Sequence, residues 1–153
     1  MKAHGSASWH GSWREGGGQL STASGSMHAV GYTYASRFES TDGVSPEELL
    51  AASYAGCLNQ AFANAFGWGN FIAERIDTTV EVETLLGMPD GPPGRIHITM
   101  RASVDGITES QFTGLTNAAK NGCLIGRMLG VTSTMDAQLI TSAPAGACTA
   151  GEA

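Results

Sequence analysis

A chain of 153 residues and 15.8 kDa has the size of one domain. Its formal charge of −6 and pI near 5.0 argue against nucleic-acid binding, which calls for a basic patch. Three cysteines are too few, and odd in number, for a secreted disulfide framework. No apolar segment follows Met1-Lys2, so neither a secretory leader nor a membrane span is expected, and the cytoplasm is the predicted compartment.

Taken in order, residues 3–13 alternate Ser, Trp, His and Gly loosely and predict a first strand. Gly16-Gly17-Gly18 is a turn, and residues 19–24 form a second strand. Residues 32–38 carry Tyr32 and Tyr34 two apart, as a half-buried strand needs, with Arg37 near its end. A central helix follows over residues 45–66. Ser45 caps it, Pro46 suits the first helical position, and Glu48 completes a capping box. Glu47 and Glu48 also meet the positive end of the helix dipole. Beyond Glu48 no charged residue appears until Glu74, so the helix reads as buried all round. Asn59, Gln60 and Asn64 exclude a lipid environment for it. A single domain of this size has little with which to cover such a helix, so a homodimer with the central helices at its interface is expected.

Gly67-Trp68-Gly69-Asn70 ends the helix. Residues 75–86 set Ile76, Thr78, Val80 and Val82 against Asp77, Thr79, Glu81 and Glu83, the pattern of a strand with one wet face. Residues 89–94 form a turn, and residues 95–104 the returning strand of a hairpin. Thr108-Glu109-Ser110-Gln111 is a second capping box. Phe112, Leu115, Ala118 and Ala119 then recur at helical spacing up to Gly122. Residues 123–129 continue as a short helix, residues 132–140 form a last strand, and residues 142–153 read as a disordered tail after a domain of 1–141. The fold class is α+β with mostly antiparallel sheets.

Two cysteines carry the candidate chemistry. Cys57 lies mid-helix among small residues, and alone it reads as buried filler. Cys123 follows a glycine stop and precedes an apolar turn, where helix-terminal amides favour a thiolate. Cys57 has no such help and needs a cation; Arg37 is the nearest candidate in chain order. Glu47 is suited to hold that arginine. Glu47 and Cys57 are ten residues apart, about 15 Å along one helix, so one helix does not bring both to a point. Two antiparallel helices across a twofold axis do, with Glu47 of one chain beside Cys57 of the other. Cys148 sits in the tail and reads as incidental.

The segments Trp9-His10-Gly11, Leu20-Ser21-Thr22-Ala23-Ser24-Gly25, Ser36-Arg37-Phe38-Glu39, Ser45-Pro46-Glu47-Glu48-Leu49, Ala55-Gly56-Cys57 and Ala118-Ala119-Lys120-Asn121-Gly122-Cys123 resemble the OsmC branch of the OsmC/Ohr family of organic hydroperoxide reductases. The resemblance implies curved sheets wrapped around central helices in an intertwined homodimer, and a part in oxidative and osmotic stress responses. It implies Cys57 as the peroxidatic cysteine and Cys123 as the resolving one. Arg37 matches the thiolate-steadying arginine, and Glu47 the carboxylate that orients Arg37 from the partner chain. No cofactor is implied beyond an external dithiol, a lipoylated protein or dihydrolipoamide. Two departures stand out: Leu124 replaces a frequent proline, which loosens the turn that carries Cys123, and Tyr54 replaces a frequent histidine as a packing change. Two other classes remain open from the residues. One is a metal site using His4, His10, His28 and His97, which lack zinc-type spacing. The other is a non-catalytic small-molecule binder with lost turnover.

Overall fold

The structure, a computed structural model, describes residues 2–39, 42–85 and 94–140. The chain divides into two compact units, Met1–Leu50 and Ala51–Ala153.

In the first unit β1 (Gly5–His10), β2 (Gly17–Thr22) and β3 (Val30–Thr33) form an antiparallel sheet in that order. Trp9 is paired with Gly18, and Gly18 with Tyr32. A side chain at Gly18 would occupy the Tyr32 ring and the Ser8 carbonyl. The bare backbone lets Tyr32 lie against Trp9, ring centroids 5.3 Å apart, and donate its hydroxyl to Ser8 O.

The third predicted strand is corrected. Only Val30–Thr33 is extended; Tyr34–Phe38 is a short helix, α1. Thr33 and Ser36 form a reciprocal capping box, each side chain accepting from the other's amide. Ser36 Oγ also donates to the Val44 carbonyl, which holds the following loop against α1. Two stabilised end donors outweigh the aromatic alternation, and Tyr34 and Phe38 stack at helical i,i+4 spacing, 4.8 Å apart.

The helix α2 (Pro46–Trp68) starts with the Glu48 amide bonded to Ser45 Oγ at 3.0 Å, as the sequence predicts. It ends where Asn70 adopts φ +61 and the Phe71 amide returns to Phe66 O. In the second unit Tyr54, Leu58, Phe62, Ala65 and Phe66 are its buried residues. Within the single chain only one face is covered: Ala52, Ser53, Gly56, Gln60, Ala63 and Asn64 are exposed. Absence of charge marked a small, neutral surface rather than a face covered by this chain.

A second sheet runs β4 (Ala73–Thr84), β5 (Gly94–Val104), β6 (Ser133–Leu139). Strands β4 and β5 are antiparallel. Ile96, Ile98, Met100 and Ala102 of β5 are buried, and the alternate residues Arg95, Thr99 and Arg101 are exposed. Strand β6 pairs parallel to β5, an exception to the antiparallel expectation. The two helices between them, α3 (Glu109–Gly122) and α4 (Leu124–Leu129), carry the chain back to the starting edge, as a parallel pair requires. The Thr108–Gln111 capping box forms as expected. On α3 Thr116 is buried in place of the predicted Ala118, because its hydroxyl donates to Thr113 O. Phe112 stacks on Phe66 at 5.8 Å, joining α3 to α2. Of the expected turn at 89–94, residues 89–93 lie outside the described residues and Gly94 opens β5; the tail at 142–153, with Cys148, also lies outside them.

Candidate active site

In the second unit Cys57 and Cys123 meet. Their sulfur atoms are 3.2 Å apart and both are free thiols. Cys57 is half-buried in the middle of α2; Cys123 is 1% exposed. Cys123 ends α3 and opens α4: its amide bonds Lys120 O and its carbonyl receives the Arg127 amide. Lys120 fixes this corner from the other side, its ammonium 2.6 Å from the Ser133 carbonyl at the start of β6.

The electrostatics of Cys123 run against the sequence expectation. Burial pushes its thiol up, the amides of Gly126 and Ile125 offset that in part, and the neighbouring Cys57 adds to the rise. Desolvation wins over the helix-end amides, so at neutral pH Cys123 is a thiol. Leu124 occupies the first position of α4, where proline would also fit, and the helix forms with it there.

Tyr54 is more than a packing change. It lies three residues before Cys57, hence on the same helix face. It is 2% exposed, with the Ser133 side chain near its hydroxyl. Burial and the two nearby thiols raise its pKa, so it stays a neutral phenol. Its hydroxyl also fills the space a side chain at Gly126 would need, which locks α2 to the first turn of α4. The i,i+3 spacing from Cys57 was the available signal.

In the first unit Arg37 and Glu47 form a two-pronged ion pair. Arg37 Nε donates to Glu47 Oε1 and Oε2 at 3.0 and 3.1 Å, and Nη2 to Oε1 at 2.5 Å. The guanidinium holds the Glu47 carboxyl below the usual carboxylate range, with burial opposing it. The pair is made within one chain, so whichever chain supplies Glu47 to a site supplies its Arg37 as well. Arg37 also lies over the Phe38 ring at 5.1 Å and lines a cavity of about 360 Å³ with Trp9, Trp13, Tyr32, Tyr34 and Phe38. Thus Cys57 is brought to Cys123 in one unit and Arg37 to Glu47 in the other.

The histidines stay apart. His97 bonds Thr134 at 2.8 Å and faces Asp136 at 3.5 Å, while His4, His10 and His28 are exposed. Among the described residues no three of His, Cys, Asp and Glu gather as metal ligands. None of the described helices is long and apolar enough to cross a membrane.

The family described as OsmC-like protein matches residues 39–137. The chain is 34% identical over 135 residues to peroxiredoxin OsmC of Escherichia coli (strain K12), covering 88% of this chain and 94% of that protein. Two solved structures share its fold. The organic hydroperoxide resistance protein OhrB of Bacillus subtilis superposes with a TM-score of 0.65 at 19% identity, over 92% of this chain and 98% of that one. The OsmC-like protein of Mycoplasma pneumoniae reaches 0.72 at 12% identity with the same coverage. A cysteine pair at one helix corner, an arginine held by a glutamate, and a match that runs through most of the chain make this protein a member of the OsmC family.

Proposed function

We propose that the protein is a thiol peroxidase that reduces organic hydroperoxides to alcohols. The observation that carries the reading is the 3.2 Å approach of Cys57 and Cys123 with the more accessible sulfur on α2. In this mechanism the Cys57 thiolate attacks the outer peroxide oxygen. The S–O bond forms, the O–O bond breaks, and the alkoxide takes a proton and leaves as the alcohol. Cys57 is then a sulfenic acid. The Cys123 sulfur displaces its hydroxyl as water, giving a Cys57–Cys123 disulfide. An external dithiol, a lipoylated protein or dihydrolipoamide, returns both thiols by exchange.

Arg37, held by Glu47, is the cation this chemistry requires. The proposed arrangement is a homodimer in which the pair of one chain stands beside Cys57 of the other. Two observations support it. Glu47 and Cys57 are separated by ten residues of one helix, and the exposed face of α2 around Gly56 and Gln60 carries no charge.

The test is thiol counting before and after one equivalent of cumene hydroperoxide, with peptide mapping. A loss of two thiols and a 57–123 linked peptide is expected. Cys57→Ser loses turnover with dihydrolipoamide, and Cys123→Ser gives one turnover followed by over-oxidation of Cys57. Full turnover in Cys57→Ser overturns the assignment.

A further inference from the structure

The cavity of the first unit holds a feature that the peroxidase reading does not use. Five aromatic rings line it: Trp9, Trp13, Tyr32, Tyr34 and Phe38. Arg37 sits at one wall, committed to Glu47. Outside this lining, the exposed guanidinium of Arg14 stands over two of the lining rings, Trp13 and Tyr34, at 5.7 and 4.9 Å. Trp13 in turn meets Tyr34 edge-on at 4.9 Å, and Tyr34 stacks on Phe38. A continuous run of rings therefore links the two arginines. Among the described residues Arg14 makes no ion pair, whereas Arg37 has its carboxylate.

This arrangement has a definite chemical preference. The ring walls favour a flat apolar body. The stacked guanidinium offers donors that no described residue takes up, in the fork that matches a carboxylate. The chain as a whole is acidic, with a formal charge of −6, so it repels anions except where such a cation is exposed. We propose that the cavity binds arylalkyl ligands with an anionic head, the carboxylate on Arg14 and the apolar body along Trp13, Tyr34 and Phe38 toward Arg37. Combined with the peroxidase reading, on which this part rests, the preferred hydroperoxides are carboxylated ones.

The matched probes are cumene hydroperoxide and its 4-carboxy derivative. For the wild-type chain the carboxylated substrate has a KM about five-fold lower at low salt, a ratio that shrinks as salt rises. Arg14→Gln brings the two KM values together, leaves kcat and the cumene hydroperoxide reaction unchanged, and Arg14→Lys restores part of the preference. Equal KM values in wild type, or a preference that survives Arg14→Gln, overturn the proposal. Binding of 4-isopropylbenzoate, which has no peroxide, is followed by quenching of tryptophan fluorescence and needs no turnover. Saturable quenching that Arg14→Gln weakens supports the anion site even if neither hydroperoxide is consumed, an outcome that sinks only the peroxidase reading. Quenching equal to that by neutral cumene, or none, overturns the anion site itself.

Discussion

Cys123 and Glu47 show opposite electrostatic outcomes for groups beside a helix end. Both have backbone amides nearby, but Cys123 is sealed from water while Glu47 keeps a guanidinium within bonding distance. Burial therefore keeps the cysteine protonated, and the ion pair keeps the glutamate charged. Two predictions belong here. Iodoacetamide at neutral pH should label Cys57 first, because Cys123 is both 1% exposed and held as a thiol; peptide mapping after a short pulse reads the order. Glu47 has a folded pKa below its unfolded value, so its contribution to stability is full above the unfolded value of about 4.5 and is lost as pH falls through the lower folded value. The stability gap between wild type and Glu47→Gln, measured by urea unfolding, should thus be constant near neutrality and close under acid conditions. A gap that stays open there, or is absent at pH 7, contradicts the pairing.

At the scale of elements, the corner between α3 and α4 positions the resolving sulfur. Two contacts hold it: the Lys120 ammonium on Ser133 O and the close packing of Tyr54 against Gly126. Leu124 removes the rigid φ that a proline would supply at this turn, and Tyr54 offers a tether from α2 in its place. Gly126→Ala should force its new methyl into the buried Tyr54 hydroxyl. A cost of about 1–3 kcal/mol is expected from such overpacking. Stopped-flow fluorescence should also show slower disulfide formation after an unchanged first oxidation step. Tyr54→Phe in the same chain should recover part of both losses by removing the oxygen.

For the whole molecule the neutral face of α2 is the surface on which association turns. In the single chain, small and amide side chains reach solvent along the helix opposite the Leu58, Phe62 and Phe66 core. A helix surface without charge is poorly suited to water and well suited to close helix packing. If two copies meet there, Gln60→Glu should weaken the association by adding facing like charges near a twofold axis. Sedimentation velocity at micromolar concentration should show a dimer for wild type and a shift toward monomer for the variant. A monomeric wild type removes the arrangement in which Arg37 of one chain serves Cys57 of the other.

The sequence alone determined the elements whose signals are local. The capping residues at Ser45 and Thr108, the alternation of Ile76, Thr78, Val80 and Val82 with Asp77, Thr79, Glu81 and Glu83, and the glycine stop at Gly122 each act within a few positions, so they are legible without a fold. Cys57, Cys123, Arg37 and Glu47 were legible as candidates because each breaks an otherwise uniform stretch or matches a family segment. Tertiary structure decided the rest. The parallel seat of β6, the elevated pKa of Cys123 and the place of Tyr54 between two helices all depend on what packs against them. Desolvation and side-chain fit are properties of neighbours distant in the chain, and one linear string does not name those neighbours.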